Sequence, residues 1–146
     1  MVNALTILDS PATDPNLYFE IQQFYTRQMQ LLDAGRTAEW AGMFTEDGIF
    51  EVGARAVSGA ENIAQAARSV ADEFAETGIT RRHWIGMLIV ECAAETVATR
   101  CYALILEIPP GSEVVVRRST VCEDTLVHSG TGWLVRHRRV TRDGMD

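Results

Sequence analysis

The chain is predicted to be an α+β protein in which N-terminal helices pack on a curved, mostly antiparallel sheet around an internal pocket. Three observations lead there. Helical periodicity dominates up to Gly78, long extended runs dominate from Arg81 onward, and 146 residues of which 47% are hydrophobic provide for one sizeable core. Helices segregated at the front of a chain cover one face of a sheet, and strands this long twist and curl, so the product is a cone.

Residues 1–13 show little periodicity and include Pro11, which makes them an arm that is ordered only by docking. A single domain, 14–146, follows. Asp14 suits an N-cap and Pro15 the first helical position, and Leu17, Ile21, Phe24, Tyr25, Gln28, Leu31 and Leu32 then recur at helical spacing up to Gly35. Thr37 suits the cap of a short second helix carrying Trp40, Met43 and Phe44. Glu46-Asp47-Gly48 turns into a short hairpin through Gly53 to Val57. Ser58-Gly59-Ala60-Glu61 has capping-box spacing, and Ile63, Ala67, Val70 and Phe74 give the next helix one apolar face. Extended runs at about 81–92, 96–108, 113–128 and 132–142 are separated by turn-like segments, among them Pro109-Pro110-Gly111-Ser112 and Ser129-Gly130-Thr131-Gly132, which gives a four-stranded meander.

The formal net charge of −7 disfavours nucleic acid and anionic membrane as partners. No run approaches the ~20 apolar residues of a spanning helix, and Met1–Asp9 lacks the basic start of a secretory signal, so a cytoplasmic protein is expected. Cys92, Cys101 and Cys122 lack metal-ligand spacing and read as reduced core residues. Neither a ligand-spaced histidine motif nor a glycine-rich phosphate loop is present, and the expectation is chemistry without metal or organic cofactor.

His83 heads an almost wholly apolar run, Trp84 to Val90, where a titratable ring enters surroundings able to perturb it. A tight link at Ala93-Ala94 and a symmetric Pro-Pro-Gly-Ser turn place His83, Ile85, Met87, Arg100, Tyr102, Leu104, Ser119 and Val121 on the pocket face, with Trp84, Leu88, Cys101 and Ile105 outside. A slip of one residue instead turns Trp84, Gly86, Leu88, Cys101, Ala103 and Cys122 inward. Asp33 stands near the C-terminus of the first helix, where the helix dipole disfavours a carboxylate. The plain explanation is an exposed residue beside the Gly35 turn, and for His83 it is a ring satisfied by a backbone carbonyl. Tyr25, Trp40, Phe50, Phe74 and Met87 suit core or pocket wall. Arg136, His137, Arg138, Arg139 and Arg142 crowd the last strand. A tight turn at Gly130 sets Glu123 and Asp124 across from Arg136 to Arg138 as ion pairs, the alternative being a site for an anionic carrier.

The element order resembles the nuclear-transport-factor-2-like (NTF2-like) superfamily and, within it, the SnoaL-like proteins of polyketide pathways. The segments that carry the likeness are Tyr25-Thr26-Arg27-Gln28-Met29-Gln30-Leu31-Leu32-Asp33, Phe44-Thr45-Glu46-Asp47-Gly48, Arg82-His83-Trp84-Ile85-Gly86 and Trp133-Leu134-Val135-Arg136-His137-Arg138-Arg139. Around His83 the chain is similar to the scytalone dehydratases. That resemblance implies an acid/base pair at Asp33 and His83, while a second catalytic histidine of those enzymes falls on Tyr102 and a tyrosine falls on Leu32. Some SnoaL-like cyclases use an acidic residue on a late strand, where this chain has Glu123 without a residue-for-residue match.

These readings lead to a cofactor-independent polyketide-tailoring dehydratase or cyclase. His83 is its acid/base, Asp33 its orienter and Tyr102 a donor to the substrate carbonyl, while Tyr25, Trp40, Phe50, Met87 and Ser119 contact a hydrophobic or aromatic substrate. The competing expectation is a non-catalytic ligand-binding or assembly subunit, like the small subunit of ring-hydroxylating oxygenases. A homodimer is expected under both, because the outer sheet face is too apolar for solvent.

Overall fold

A computed structural model describes residues 7–146; the first part of the expected arm, residues 1–6, lies outside the described residues. Ile7 is buried, and the backbone N–H and hydroxyl of Ser10 both donate to its carbonyl at 3.2 and 2.6 Å, so this end of the arm is docked. Then follow α1 (Pro15–Asp33), α2 (Thr37–Ala41), β1 (Phe44–Val52), β2 (Arg55–Ser58), α3 (Ala60–Thr77), β3 (Thr80–Cys92), β4 (Thr96–Ile108), β5 (Val115–Ser129) and β6 (Gly132–Arg142). These are the expected elements in the expected order, the four long strands within two residues of their expected ends, but Phe44, expected on the second helix, and Glu46-Asp47-Gly48, expected as a turn, both lie within β1.

Capping differs from expectation. Asp14 is the N-cap of α1, with Pro15 inside the first turn, but its side chain makes no capping bond. Arg36, not Thr37, caps α2, and Thr37 is buried as the first helical residue. The Ser58/Glu61 capping box does not form: Gly59 occupies the cap at φ 91°, a conformation that disfavours any side chain there. Asn62 donates to the Ser58 carbonyl instead, at 3.0 Å.

The strands form one six-stranded sheet in the order β2-β1-β6-β5-β4-β3. The meander is antiparallel throughout, and the N-terminal hairpin extends it because β1 pairs in parallel with β6. Each strand pair from β6 to β3 contains one register shift, and such bulges bend a strand and increase its twist. The helices cover the concave face. Among the described residues no helix is long and apolar enough to cross a membrane.

The apolar core occupies one end of the cone. Ile21, Phe24 and Tyr25 of α1, Trp40 and Ala41 of α2, Phe44 of β1 and Ile63 of α3 pack there against Val90, Val97, Leu126 and Val135. All four of those strand residues lie within four positions of the turns at 93–95 and 130–131, so this end is closed by side chains. The other end of the sheet, toward the β4–β5 turn at Pro109–Ser112, is lined by more polar residues.

One bulge decides which side of the sheet His83 occupies. Gly86 pairs with Tyr102 and Ile89 with Arg100, so Met87 and Leu88 together oppose Cys101 alone. Met87 takes up the extra residue at φ 56°, the one positive φ of a non-glycine among the described residues. Side chains alternate across a strand, so without this insertion buried Val90 would share its face with Leu88, Gly86 and Trp84, leaving His83 outside. With it, Leu88, Ile85 and His83 all face inward, and Ile85 and Leu88 both pack on the core.

The bulge corrects the expected register. On β4 and β5 the inward residues are Thr99, Cys101, Ala103, Thr120, Cys122 and Asp124, whereas Arg100, Tyr102, Leu104, Ser119 and Val121 face out. Trp84 is outside as expected, but Leu88 and Cys101 are inside. The inner face therefore combines part of each alternative set, because a single ladder cannot accommodate the insertion at Met87.

Candidate active site

Asp33 ends α1, and its side chain reaches β3 at two points. Oδ1 is 2.6 Å from His83 Nδ1, and Oδ2 accepts the backbone N–H of His83 at 3.1 Å. The two side chains, His83 and Asp33, are 12% and 9% exposed, so the pair lies just beneath the surface. The dipole penalty at a helix C-terminus is offset by two hydrogen bonds, which accounts for a carboxylate at this position. With Nδ1 bonded to the carboxylate, the neutral ring carries its proton there and presents Nε2 as a lone-pair acceptor. Among the described residues Nε2 has no hydrogen-bond partner. The arrangement suits a base that takes a proton from a bound molecule and returns it.

The other expected site residues are elsewhere. Tyr102 pairs with Gly86 on the outer face and is 52% exposed, so its phenol does not share a cavity with His83 and the carbonyl-donor role is withdrawn. Met87 is the exposed bulge residue and not a pocket wall. Ser119 also faces outward, its hydroxyl donating to Asp143 Oδ2 at 2.7 Å. Tyr25 and Trp40 are packed into the closed-end core, Trp40 with ring centroids 5.1 Å from Phe44 and 6.1 Å from half-buried Phe50. None of these reaches the dyad through any hydrogen bond among the described residues.

A second polar cluster surrounds the ion pair expected at Asp124, and its Gln28, Tyr25 and Thr99 members escaped the sequence reading. Arg138 Nε and Nη2 donate to the two carboxylate oxygens of Asp124 at 2.9 and 2.8 Å, and Nη2 also donates to Gln28 Oε1 at 2.8 Å. The Tyr25 hydroxyl donates to Asp124 Oδ2 at 2.7 Å and meets the Thr99 hydroxyl. The guanidinium lies 5.3 Å from the Phe44 ring centroid. Burial opposes the charge on Arg138, but the Asp124 carboxylate outweighs it and holds the group above its ordinary value. Burial, reinforced by Asp124, pushes the Tyr25 phenol well up. The expected pairing of a late-strand arginine with an acidic residue of β5 occurs for Asp124, as a fully buried bidentate pair with Arg138, but not for Glu123, whose ion pair is with Arg100 on β4. His137 and Arg139 bond Glu51, at 2.7 and 3.3 Å, and Arg142 bonds Asp146 at 2.7 Å. The sequence signal available was Asp124, an acidic residue inside the alternating Thr120-Cys122-Asp124-Leu126 face.

The cluster and the dyad are well separated. Thr99 marks the row of Asp124 and Arg138, and Ile105 pairs with His83, so six residue steps along β4, about 20 Å, separate them. Asp124 and Arg138 brace the interior, and His83 and Asp33 stand near the opening. No group of three His, Cys, Asp or Glu converges in metal-binding geometry among the described residues. A shallow depression of about 280 Å³ between α2 and α3, bordered by Thr37, Ala38, Glu61, Ala64, Gln65 and Arg68, does not include the dyad.

Known proteins agree with this architecture. Aln2 from a Streptomyces species is 33% identical with a TM-score of 0.85, over 91% of this chain and 95% of that one. ActVI-ORFA from Streptomyces coelicolor is 31% identical with a TM-score of 0.82, over 91% and 99%. A protein from Catenulispora acidiphila, solved in complex with S-DNPA, is 32% identical with a TM-score of 0.78, over 89% and 96%. An NTF2-like protein with a cystatin-like fold from Novosphingobium aromaticivorans, 21% identical over 88% of this chain and 83% of that one with a TM-score of 0.77, agrees in fold. No curated protein sequence matches the chain. The SnoaL-like domain profile matches residues 16–139, nearly the whole of the folded chain, and the protein belongs to the SnoaL-like family.

Proposed function

We propose that the protein is a cofactor-independent acid–base enzyme of the polyketide-tailoring kind, a dehydratase or cyclase that moves a proton next to a carbonyl. The observation that carries this reading is the two-point hold of Asp33 on His83, through Nδ1 and the backbone N–H. A structural hydrogen bond needs only one of these contacts. The pair together fixes the ring's tautomer and orientation, which is what a general base requires. A bound ligand is supported by the similar protein from Catenulispora acidiphila, which was solved in complex with S-DNPA.

In this mechanism His83 Nε2 takes a proton from the carbon beside the substrate carbonyl, and Asp33 stabilises the imidazolium that forms. The same nitrogen then returns the proton, to a departing hydroxyl in a dehydration or to a new alkoxide in a ring closure. A general base of this sort contributes about 10² to 10⁴ in rate.

The test needs no knowledge of the natural substrate. Wild-type protein in D₂O should accelerate deuterium exchange at the carbon next to the carbonyl of 2-tetralone, followed by NMR. His83→Ala should abolish the acceleration while retaining the wild-type melting profile. Exchange by the variant at the wild-type rate, or no acceleration by the wild type, overturns the assignment.

A further inference from the structure

Arg81 stands two residues before His83 on β3, on the same face, so the two side chains leave the strand about 7 Å apart. Its guanidinium carbon lies 4.5 Å from the centroid of the Phe74 ring on α3. The Nε is buried and has no hydrogen-bond partner among the described residues. Two carboxylates lie nearby, and both are engaged elsewhere: Asp33 holds His83, and Glu107, directly opposite Arg81 on β4, accepts from Arg117 Nε at 3.2 Å. Burial lowers the pKa of Arg81, with Glu107 and Asp33 opposing the shift. Unlike Arg138, this partly desolvated guanidinium has no bidentate carboxylate. A buried donor without a partner is costly, and a planar fork of N–H groups matches a carboxylate in two parallel bonds.

We propose that Arg81 anchors a carboxylate carried by the substrate, so that His83 acts on a carbonyl compound that is also an organic acid. This rests on the acid–base reading of His83 and adds the substrate's charge to it. Stacking on Phe74 orients the guanidinium plane, and the spacing from His83 puts the carboxylate and the reacting C–H within the length of one small molecule. The anchor binds the ground state. A group that served only a developing enolate would act on kcat and leave the binding of a stable carboxylate unchanged.

The experiment compares 2-naphthoate with 2-naphthamide, neutral and of nearly the same shape, by calorimetric titration of the purified full chain. Wild-type protein should bind the acid at least about tenfold more tightly than the amide. Arg81→Gln should weaken naphthoate binding about ten- to a hundredfold and leave naphthamide binding unchanged. Arg81→Lys, which keeps the charge and loses the fork, should retain part of the preference. Equal affinity of the wild type for acid and amide overturns the proposal, as does an undiminished preference in Arg81→Gln. His83→Ala should keep the preference for the acid. Deuterium exchange undiminished in His83→Ala, beside an acid preference that depends on Arg81, would remove the base and leave the anchor standing.

Discussion

Asp124→Ala leaves the Arg138 guanidinium buried without its carboxylate, and breaking a buried pair in this way costs about 3–5 kcal/mol. Urea denaturation should show that loss, whereas Glu123→Ala, which removes a looser 3.8 Å contact with Arg100, should cost about 1 kcal/mol or less. The Tyr25 phenol contributes to the loss of stability at alkaline pH. Its folded pKa is raised by burial and by Asp124, above the ~10 of an unfolded tyrosine. The stability linked to it is therefore fully present below pH ~10 and declines as pH rises toward the folded value. Tyr25→Phe should reduce that alkaline decline, read from melting temperature against pH. Thiol alkylation offers another check: exposed Cys92 should react in the native protein, while buried Cys101 and Cys122 should react only on unfolding. A hydrogen bond to Cys101 and burial both raise the Cys122 thiol, which keeps it in the unreactive protonated form.

At the level of the element, β3 depends on Met87. A positive φ costs a non-glycine residue roughly 1–3 kcal/mol, and a β-branched side chain tolerates it least. Met87→Val should destabilise the protein on that scale in denaturant titration, whereas Met87→Gly should retain full stability. Deletion of Met87 restores an unbroken ladder and turns His83 to the outer face. Faster modification of His83 by diethyl pyrocarbonate, located by mass spectrometry, together with lost deuterium exchange, is the expected result; unchanged protection of His83 would show that the bulge does not set its side. The elements themselves were largely legible. Helical spacing marked α1 and α3, and turn residues bounded four strands nearly to the residue. The bulge was not, because no glycine marks it: the sequence reads Gly86-Met87-Leu88, and the αL position falls on the methionine.

Across the whole molecule, the convex face of the sheet sets apolar residues beside charged ones. Trp84, Met87 and Tyr102 are exposed there. Beside them Arg100, Glu123, Arg139 and Glu51 form one row across β4, β5, β6 and β1, with charges alternating in sign. A second copy related by a two-fold axis parallel to the strands would set each charge of this row opposite its complement, and an axis perpendicular to the strands would oppose like charges. A dimer through this face is the expected state, with a sedimentation mass near twice that of one chain, and Trp84→Glu or Arg139→Glu should shift it toward the monomer.

The sequence by itself determined the class of fold and the order of its elements, because these follow from local periodicity and turn chemistry; the pairing of Asp33 with His83 was implied only by the resemblance of the quoted segments. Only the tertiary structure decided which face of the sheet each strand residue occupies. That choice rests on parity, so a single inserted residue reverses it: the bulge brings His83 inward and leaves Tyr102 outside. The burial of Arg138 against Asp124 and the place of Arg81 beside His83, without a hydrogen-bond partner for its Nε among the described residues, were settled at the same level, since whether a charged residue finds a partner depends on strands that meet only in the folded chain.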